Sequence, residues 1–334
     1  YRIFILNYFL TSIIYFFHYY LNISLNFILK IYLKRIIKKN KYDFWHFNYI
    51  NYKSLILINC LKELNQKIIV TFQGADIQIH ENINYGARLN VKYNKLLKKI
   101  INNVDFFTSI SKNISIDLNN LGILNNKIFF FPNCVNQSKF DSVSDVNALA
   151  DQLTFITVGR FAEKKKGFDL IKDIVEILNK KEIQFKWKII GQGVNEILKY
   201  KEIKDNINEF DIIENIENID ETYFPNTKLI KEYKSSDIYL NLSRVESFGI
   251  TFIETLASGT PIISFNTKGA NEIINSNHNG FIIKDFNLDD FVQKIEQIKN
   301  DRTILKKIKQ NSKSSVKKYD LNYNTKLLNN FYLR

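Results

Sequence analysis

Between Ser236 and Ser264 the sequence reads as strand, loop, helix and strand, and that order limits the fold more than any other stretch. Ser236 to Ser243 (S-D-I-Y-L-N-L-S) is an apolar run suited to burial, and Ala257 to Ser264 (A-S-G-T-P-I-I-S) stops a helix and enters a second such run. This is a βαβ setting, in which nucleotide phosphates are commonly bound at strand C-termini. Strands alternate with helical patterns along most of the chain, which predicts an α/β protein with parallel sheets. Its 334 residues are enough for two domains, each with its own core.

The segment joining those strands carries the chemistry. In Arg244-Val245-Glu246-Ser247-Phe248-Gly249-Ile250-Thr251-Phe252-Ile253-Glu254, two carboxylates stand eight positions apart around a Phe-Gly step that reads as a loop entering a helix. Gly249 lets backbone approach a ligand closely, and the amides of Phe248, Gly249 and Ile250 form the positive end of a helix dipole. An anion held there has Glu246 on one side and Glu254 on the other, both able to accept hydrogen bonds from hydroxyls. A sugar joined to a nucleotide through a diphosphate has that layout. Glu-x7-Glu alone fits an ordinary amphipathic helix equally well; the flanking strands favour the binding reading.

A second cluster agrees. Thr154 to Val158 is an apolar strand ending in Gly159-Arg160, followed by Lys164-Lys165-Lys166-Gly167 and a helical pattern from Phe168 to Leu178. Arg160 at the strand end and Lys166 on the following loop can hold a diphosphate and stabilise the charge that builds as a sugar departs. Lys164 and Lys165 read as a solvated turn. No Asp-x-Asp pair is present, and His18, His46, His80 and His278 make no ligand spacing, so no metal site is expected.

The run from Ser236 to Ile283, with S-D-I-Y-L-N-L-S, E-S-F-G-I-T-F-I-E, A-S-G-T-P-I-I-S and H-N-G-F-I-I, resembles the signature of retaining glycosyltransferases of family 4. The resemblance implies the GT-B fold, two Rossmann-like domains facing across a cleft. It also implies metal-independent, retaining transfer from a nucleotide-diphosphate sugar, with no further cofactor. The acceptor would be a hydroxyl of a glycan or lipid-linked molecule, in cell-surface polysaccharide synthesis. Glu246, Arg160 and Lys166 would take the catalytic roles. Glu254 would hold the ribose hydroxyls, and Ser247, Phe248, Gly249, Ile250 and Gly159 would complete the donor site. Tyr1 falls inside the family pattern, so the N-terminal domain is expected to lack its first βαβ segment, about 30 residues or more.

The acceptor side is expected in the N-terminal half. Lys41 to Phe47 reads as a turn into a buried strand that brings His46 to the strand end, and Lys67 to Asp76 as a strand running into the Gln73-Gly74 loop. The family often has His before that glycine. Gln73 can bond a sugar hydroxyl but cannot act as acid or base at neutral pH. Asp76 is a further polar candidate. Pro132-Asn133-Cys134-Val135-Asn136 resembles the family's Pro-Asn-Gly-Val-Asp element, making Asn133 a candidate and Cys134 a small cleft-lining residue rather than a nucleophile. Domains are therefore set at 1–141 (acceptor side), 142–152 (linker) and 153–315 (nucleotide-sugar binding). A tail, 316–334, should pack back on the first domain.

Charge suggests a location. The chain carries 47 basic and 34 acidic residues, a net +13. Residues 1–150 hold 18 and 8 of these, +10; the remainder holds 29 and 26, +3. Lysine dominates and no nucleic-acid module is visible, so nucleic acid is not the expected partner; an anionic membrane surface suits a basic, aromatic-rich half better. Residues 3–33 are apolar but interrupted by polar side chains and read as a buried or interfacial helix pair rather than a span. Two cysteines without a Cys-x-x-Cys fit a reducing, cytoplasmic setting, peripheral to the inner membrane face. A non-catalytic GT-B domain that binds sugar nucleotides is the alternative, raised by Gln73. Phosphorylase and epimerase readings fit the paired motifs less well.

Overall fold

The computed structural model describes residues 25–144, 152–214, 216 and 224–333. The chain forms two compact units: one holds the chain up to Pro132 together with Leu328 onward, the other Asn133–Leu327. The division falls ahead of the 142–152 linker expected from sequence, because the short helix Gln137–Ser142 packs against the helix Ile250–Ser258 inside the second unit.

The first unit is built on four parallel strands in the order β1 (Trp45–Asn48), β2 (Ile68–Phe72), β3 (Phe106–Ser109) and β4 (Ile128–Phe130). β2 is buried at every position, as a central parallel strand covered on both faces must be. Its helices start where side chains satisfy orphan amides: Asn51 caps Tyr52–Glu63, Asn90 caps Val91–Ile100 and Ser111 caps Lys112–Asn119. A helix over Leu25–Lys39 precedes β1 and takes in the basic run through Lys39. The rest of the 3–33 segment lies outside the described residues. No described helix is long and apolar enough to cross a membrane. The final helix, Leu321–Tyr332, ends in this unit, where Phe331 stacks on Phe129 with ring centroids 4.6 Å apart.

The second unit carries six parallel strands in the order β10-β9-β8-β5-β6-β7. These are β5 (Leu153–Val158), β6 (Phe185–Ile190), β7 (Phe210–Ile213), β8 (Ile238–Asn241), β9 (Ile262–Phe265) and β10 (Gly280–Ile283). The helix Leu170–Lys180 buries Ile171, Ile174, Val175 and Leu178, the single stripe that sequence spacing predicts. Phe155, Phe185, Trp187 and Phe210 stack into one aromatic core beside it. From β5 the chain builds outward to β6 and β7, then returns to the other side of β5 with β8. The reversal falls between β5 and β8, and in open parallel sheets ligands bind outside the carboxyl ends of the strands at such a switch point.

Candidate functional site at the strand switch point

The loops leaving β5 and β8 are the ones that hold the expected site residues. After β5, the Gly159 amide donates to the Ile190 carbonyl (2.9 Å), and Arg160 emerges exposed. Arg160 makes no side-chain hydrogen bond or ion pair among the described residues. The three lysines do not lie in an open loop as expected. They form one helical turn, Glu163–Lys166, closed by Gly167 in the left-handed region (φ +69°). The stem of Lys166 runs over Gly159, where an added Cβ would sit 4.0 Å from Lys166 Cε.

After β8, Glu246 is almost fully buried at 7% exposure. Its Oε1 accepts from Lys166 Nζ at 2.5 Å and from Ser243 Oγ at 2.9 Å. Burial alone would push this carboxyl up. The Lys166 ammonium, with Lys165 and the Ser243 hydroxyl, more than offsets that and holds Glu246 below the usual carboxylate range. Lys165 is therefore no solvated turn: it is half-buried, and desolvation, opposed by the charge of Glu246, lowers its ammonium. Sequence reading missed this third cation because one helical turn points neighbouring lysines in different directions, and only the fold shows which of them face Glu246.

The helix Ile250–Ser258 starts at Gly249 (φ +87°), with no side-chain cap, and the amides of Phe248, Gly249 and Ile250 make no backbone hydrogen bonds among the described residues. Gly249 is required twice over. Its φ is one that side chains avoid, and an added Cβ would lie 2.4 Å from the Phe252 ring. The Phe248 side chain turns inward, edge-on to Tyr319 (5.5 Å), leaving only its backbone for a ligand; Ser247 is buried and Ile250 exposed. Glu254 is 2% exposed and accepts from the Tyr233 hydroxyl at 2.9 Å. Burial raises its carboxyl to about 7 despite that bond. On the interior strand β8, the buried Tyr239 hydroxyl donates to Thr251 (2.9 Å); burial pushes it up, and the charges of Glu246 and Glu254 add to that. Together these groups offer cations and helix amides for an anion, with hydroxyl acceptors around them.

The acceptor-side candidates fare differently. Asp76 is fully buried and its carboxylate is consumed by backbone: Oδ1 accepts from Gln73 and Gly74 (2.9 Å each) and Oδ2 from Ile50 (3.0 Å). Those bonds shape the Gln73-Gly74 loop, a backbone role that sequence reading did not foresee. His46 is a satisfied histidine. Its Nδ1 bonds the Tyr332 hydroxyl (2.6 Å) and its Nε2 the Thr71 hydroxyl (2.7 Å), and burial lowers it to about 4. Gln73 and Asn133 are half-buried, and Gly74 is buried with φ +117°. Burial pushes the Cys134 thiol up to about 12, which disfavours the thiolate a nucleophile needs. Among the described residues no cluster of His, Cys, Asp or Glu could hold a metal.

A GT-B fold with an anion-and-hydroxyl site at a switch point defines a class of glycosyltransferase, and the comparisons agree. Residues 139–315 match the family described as glycosyl transferases group 1, and residues 6–139 match glycosyltransferase family 4. The chain belongs to the group 1 glycosyl transferases. An uncharacterized glycosyltransferase of Methanocaldococcus jannaschii is 25% identical over 287 residues, 86% of this chain and 74% of that protein. The poly(ribitol-phosphate) alpha-N-acetylglucosaminyltransferase of Staphylococcus aureus is 29% identical over 139 residues, 40% of this chain but 26% of the enzyme. A glycosyltransferase from Rickettsia africae superposes with a TM-score of 0.72 at 21% identity, covering 92% of this chain and 80% of its own. The pneumococcal O-GlcNAc transferase GtfA, solved with UDP and GlcNAc, superposes with a TM-score of 0.69 at 18% identity, covering 91% and 59%.

Proposed function

We propose that this chain moves a sugar from a nucleoside-diphosphate sugar to a hydroxyl of a glycan or lipid-linked acceptor in cell-surface polysaccharide synthesis. Configuration is retained and no metal ion takes part. The observation that carries the reading is the Lys166–Glu246 pair at the switch point, beside the uncapped start of the Ile250–Ser258 helix. Arg160, Lys166 and the helix amides hold the diphosphate, Glu246 binds hydroxyls of the transferred sugar, and Glu254 binds the ribose. As the bond from the anomeric carbon to the phosphate oxygen breaks, the acceptor oxygen bonds the same face of that carbon and its proton passes to the departing phosphate. The cations stabilise the charge gathering on that phosphate. The UDP in the pneumococcal neighbour and the poly(ribitol-phosphate) named for the staphylococcal relative support donor and acceptor classes of this kind.

Transfer is tested by incubating the full chain with a panel of nucleotide sugars and glycan or polyprenyl-phosphate acceptors. Transfer or donor hydrolysis supports the reading. Binding without turnover favours the alternative of a non-catalytic sugar-nucleotide-binding domain.

A seat on an anionic membrane is supported by two helices of the first unit. Leu25–Lys39 exposes Phe27, Ile31, Lys34 and Lys38 along one stripe, and Val91–Ile100 exposes Val91, Lys92, Lys95 and Lys98 along another. Both pack on Tyr52–Glu63 and so share one face of the sheet. Apolar side chains set among lysines suit an anionic bilayer better than they suit a polyanion in solution.

A further inference from the structure

The two loops of the site meet at more points than the Lys166–Glu246 pair. Gly167 presses on Leu242, whose carbonyl oxygen would lie 2.0 Å from a Cβ at position 167. One residue past Ser243, Arg244 reaches back across the same gap. Its backbone N–H donates to the Lys165 carbonyl (2.9 Å) and its Nη1 to the Lys164 carbonyl (2.9 Å). Nη1 and Nη2 also donate to the two oxygens of Asp169, at 2.7 and 2.8 Å. Asp169 stands at the start of the helix Leu170–Lys180, where an aspartate ordinarily caps an amide, yet it caps none and its carboxylate faces Arg244 instead.

These contacts answer a physical need. A single helical turn has no stability of its own, and three successive lysines repel one another. Something outside the turn must fix it, and the planar guanidinium meets its carbonyls and a carboxylate at once, which an ammonium cannot do in the same geometry.

We propose that Arg244 and Asp169 form a positioning latch that locks the 163–167 turn to the 243–247 loop and thereby sets the reach of Lys166 to Glu246. The proposal rests on the reading that Lys166 and Glu246 serve glycosyl transfer, so its test includes a measurement that needs no substrate. The groups facing Glu246 are Lys166 and Lys165 from the turn, Ser243 from its own loop and Tyr239 from β8.

Titration of Glu246, read by carbon NMR of labelled glutamate, is compared in wild type, Arg244→Ala, Arg244→Lys and Asp169→Asn, alongside kcat and donor KM. In Arg244→Ala, the Glu246 titration should move up by about one unit, because its burial is no longer fully offset. Its kcat should fall about tenfold, with donor KM changing much less. Arg244→Lys should lie between it and wild type. A distant core variant, Ile298→Val, reproduces a loss of melting temperature and should move neither readout. An unmoved Glu246 titration in a folded Arg244→Ala protein overturns the latch, as does an equal shift in Ile298→Val. If Arg244→Ala does not fold, Arg244→Lys and Asp169→Asn carry the same comparison. Wild type that transfers nothing while the Arg244 variants shift Glu246 would sink the functional reading and leave the latch standing.

Discussion

Lys166 Nζ lies 2.5 Å from Glu246 Oε1, joining the loops that leave two adjacent strands whose partners run to opposite sides of the sheet. The pair is largely buried, Glu246 more than Lys166. A buried carboxylate is tolerable only beside its cation, and the cation is held in place by the carboxylate. Each is therefore in position before any ligand arrives.

Removing Lys166 should cost both activity and alkaline stability. Lys166→Ala loses a charged hydrogen bond of ~1.5–3 kcal/mol, so turnover should drop by about one to two orders of magnitude. In wild type the folded-state value of Glu246 lies below its ordinary one. The group thus stabilises the fold above the ordinary carboxylate range and loses that contribution as pH falls through the folded value. Without Lys166, burial dominates. The melting-temperature deficit should be full near pH 8 and should vanish only below the ordinary carboxylate range, as pH falls through the depressed folded value of Glu246. Arg160→Ala, at an exposed position, should lower turnover with no change in melting temperature. Wild-type turnover in either variant contradicts the diphosphate assignment.

Glu254 gives nucleotide binding a pH dependence. Its carboxyl is raised to about 7 by burial, and ribose hydroxyls donating to it would favour the charged form. Nucleotide diphosphate binding should release protons near neutrality and weaken as pH falls below about 7, visible by calorimetry in buffers of different ionisation enthalpy. Because the folded value is raised, the group contributes stability that is complete below the unfolded value and is lost as pH rises through about 7. Glu254→Gln should therefore melt higher than wild type at pH 8 while binding nucleotide more weakly. Unchanged affinity with no proton release rules out the ribose role.

Gly249→Ala meets both a left-handed backbone and the Phe252 ring. Destabilisation of at least about 1 kcal/mol in denaturant unfolding is expected, with a larger proportional loss of nucleotide affinity, since the helix amides move with residue 249. A variant that binds nucleotide as wild type does would show that those amides do not meet the phosphates.

Asp76→Asn tests a structural role. With one carboxylate oxygen replaced by a donor, a backbone amide loses its partner, and stability should fall by about 1–3 kcal/mol. Nucleotide affinity, which belongs to the second unit, should be unchanged. A stable variant with altered acceptor KM would return Asp76 to the substrate.

Membrane seating is checked by flotation with vesicles of phosphatidylglycerol or of phosphatidylcholine alone. Binding is expected to the anionic vesicles and to weaken in salt, and a Lys34→Glu, Lys38→Glu, Lys95→Glu variant should stay in solution with nucleotide affinity intact. Equal binding to both lipids argues against the charge-based reading. Binding only to a soluble polyanion assigns the lysines to that polymer instead.

What the sequence revealed follows from how local each feature is. β5, β8 and β9 are short apolar runs bounded by turn residues, and the Gly249 and Gly259 steps bracket a helix, so the framework around Glu246 was readable from neighbours along the chain. The fate of side chains was not. His46 is satisfied by Tyr332, 286 positions away, and Arg244 by Asp169, 75 positions away. Asp76 looked available because its partner Ile50 belongs to another connection, and a backbone amide leaves no mark in a sequence. Lys165 differed from Lys164 only through burial that the fold imposes.

The closing helix also bears on how the molecule can be handled. Phe331 and Tyr332 sit against Phe129 and His46 in the first unit, although most of their helix belongs to the second. Trimming the chain at Leu327 would bare an aromatic ring and strand a neutral imidazole. A bulky label attached at Phe331 would disturb the same stack, so labels belong elsewhere.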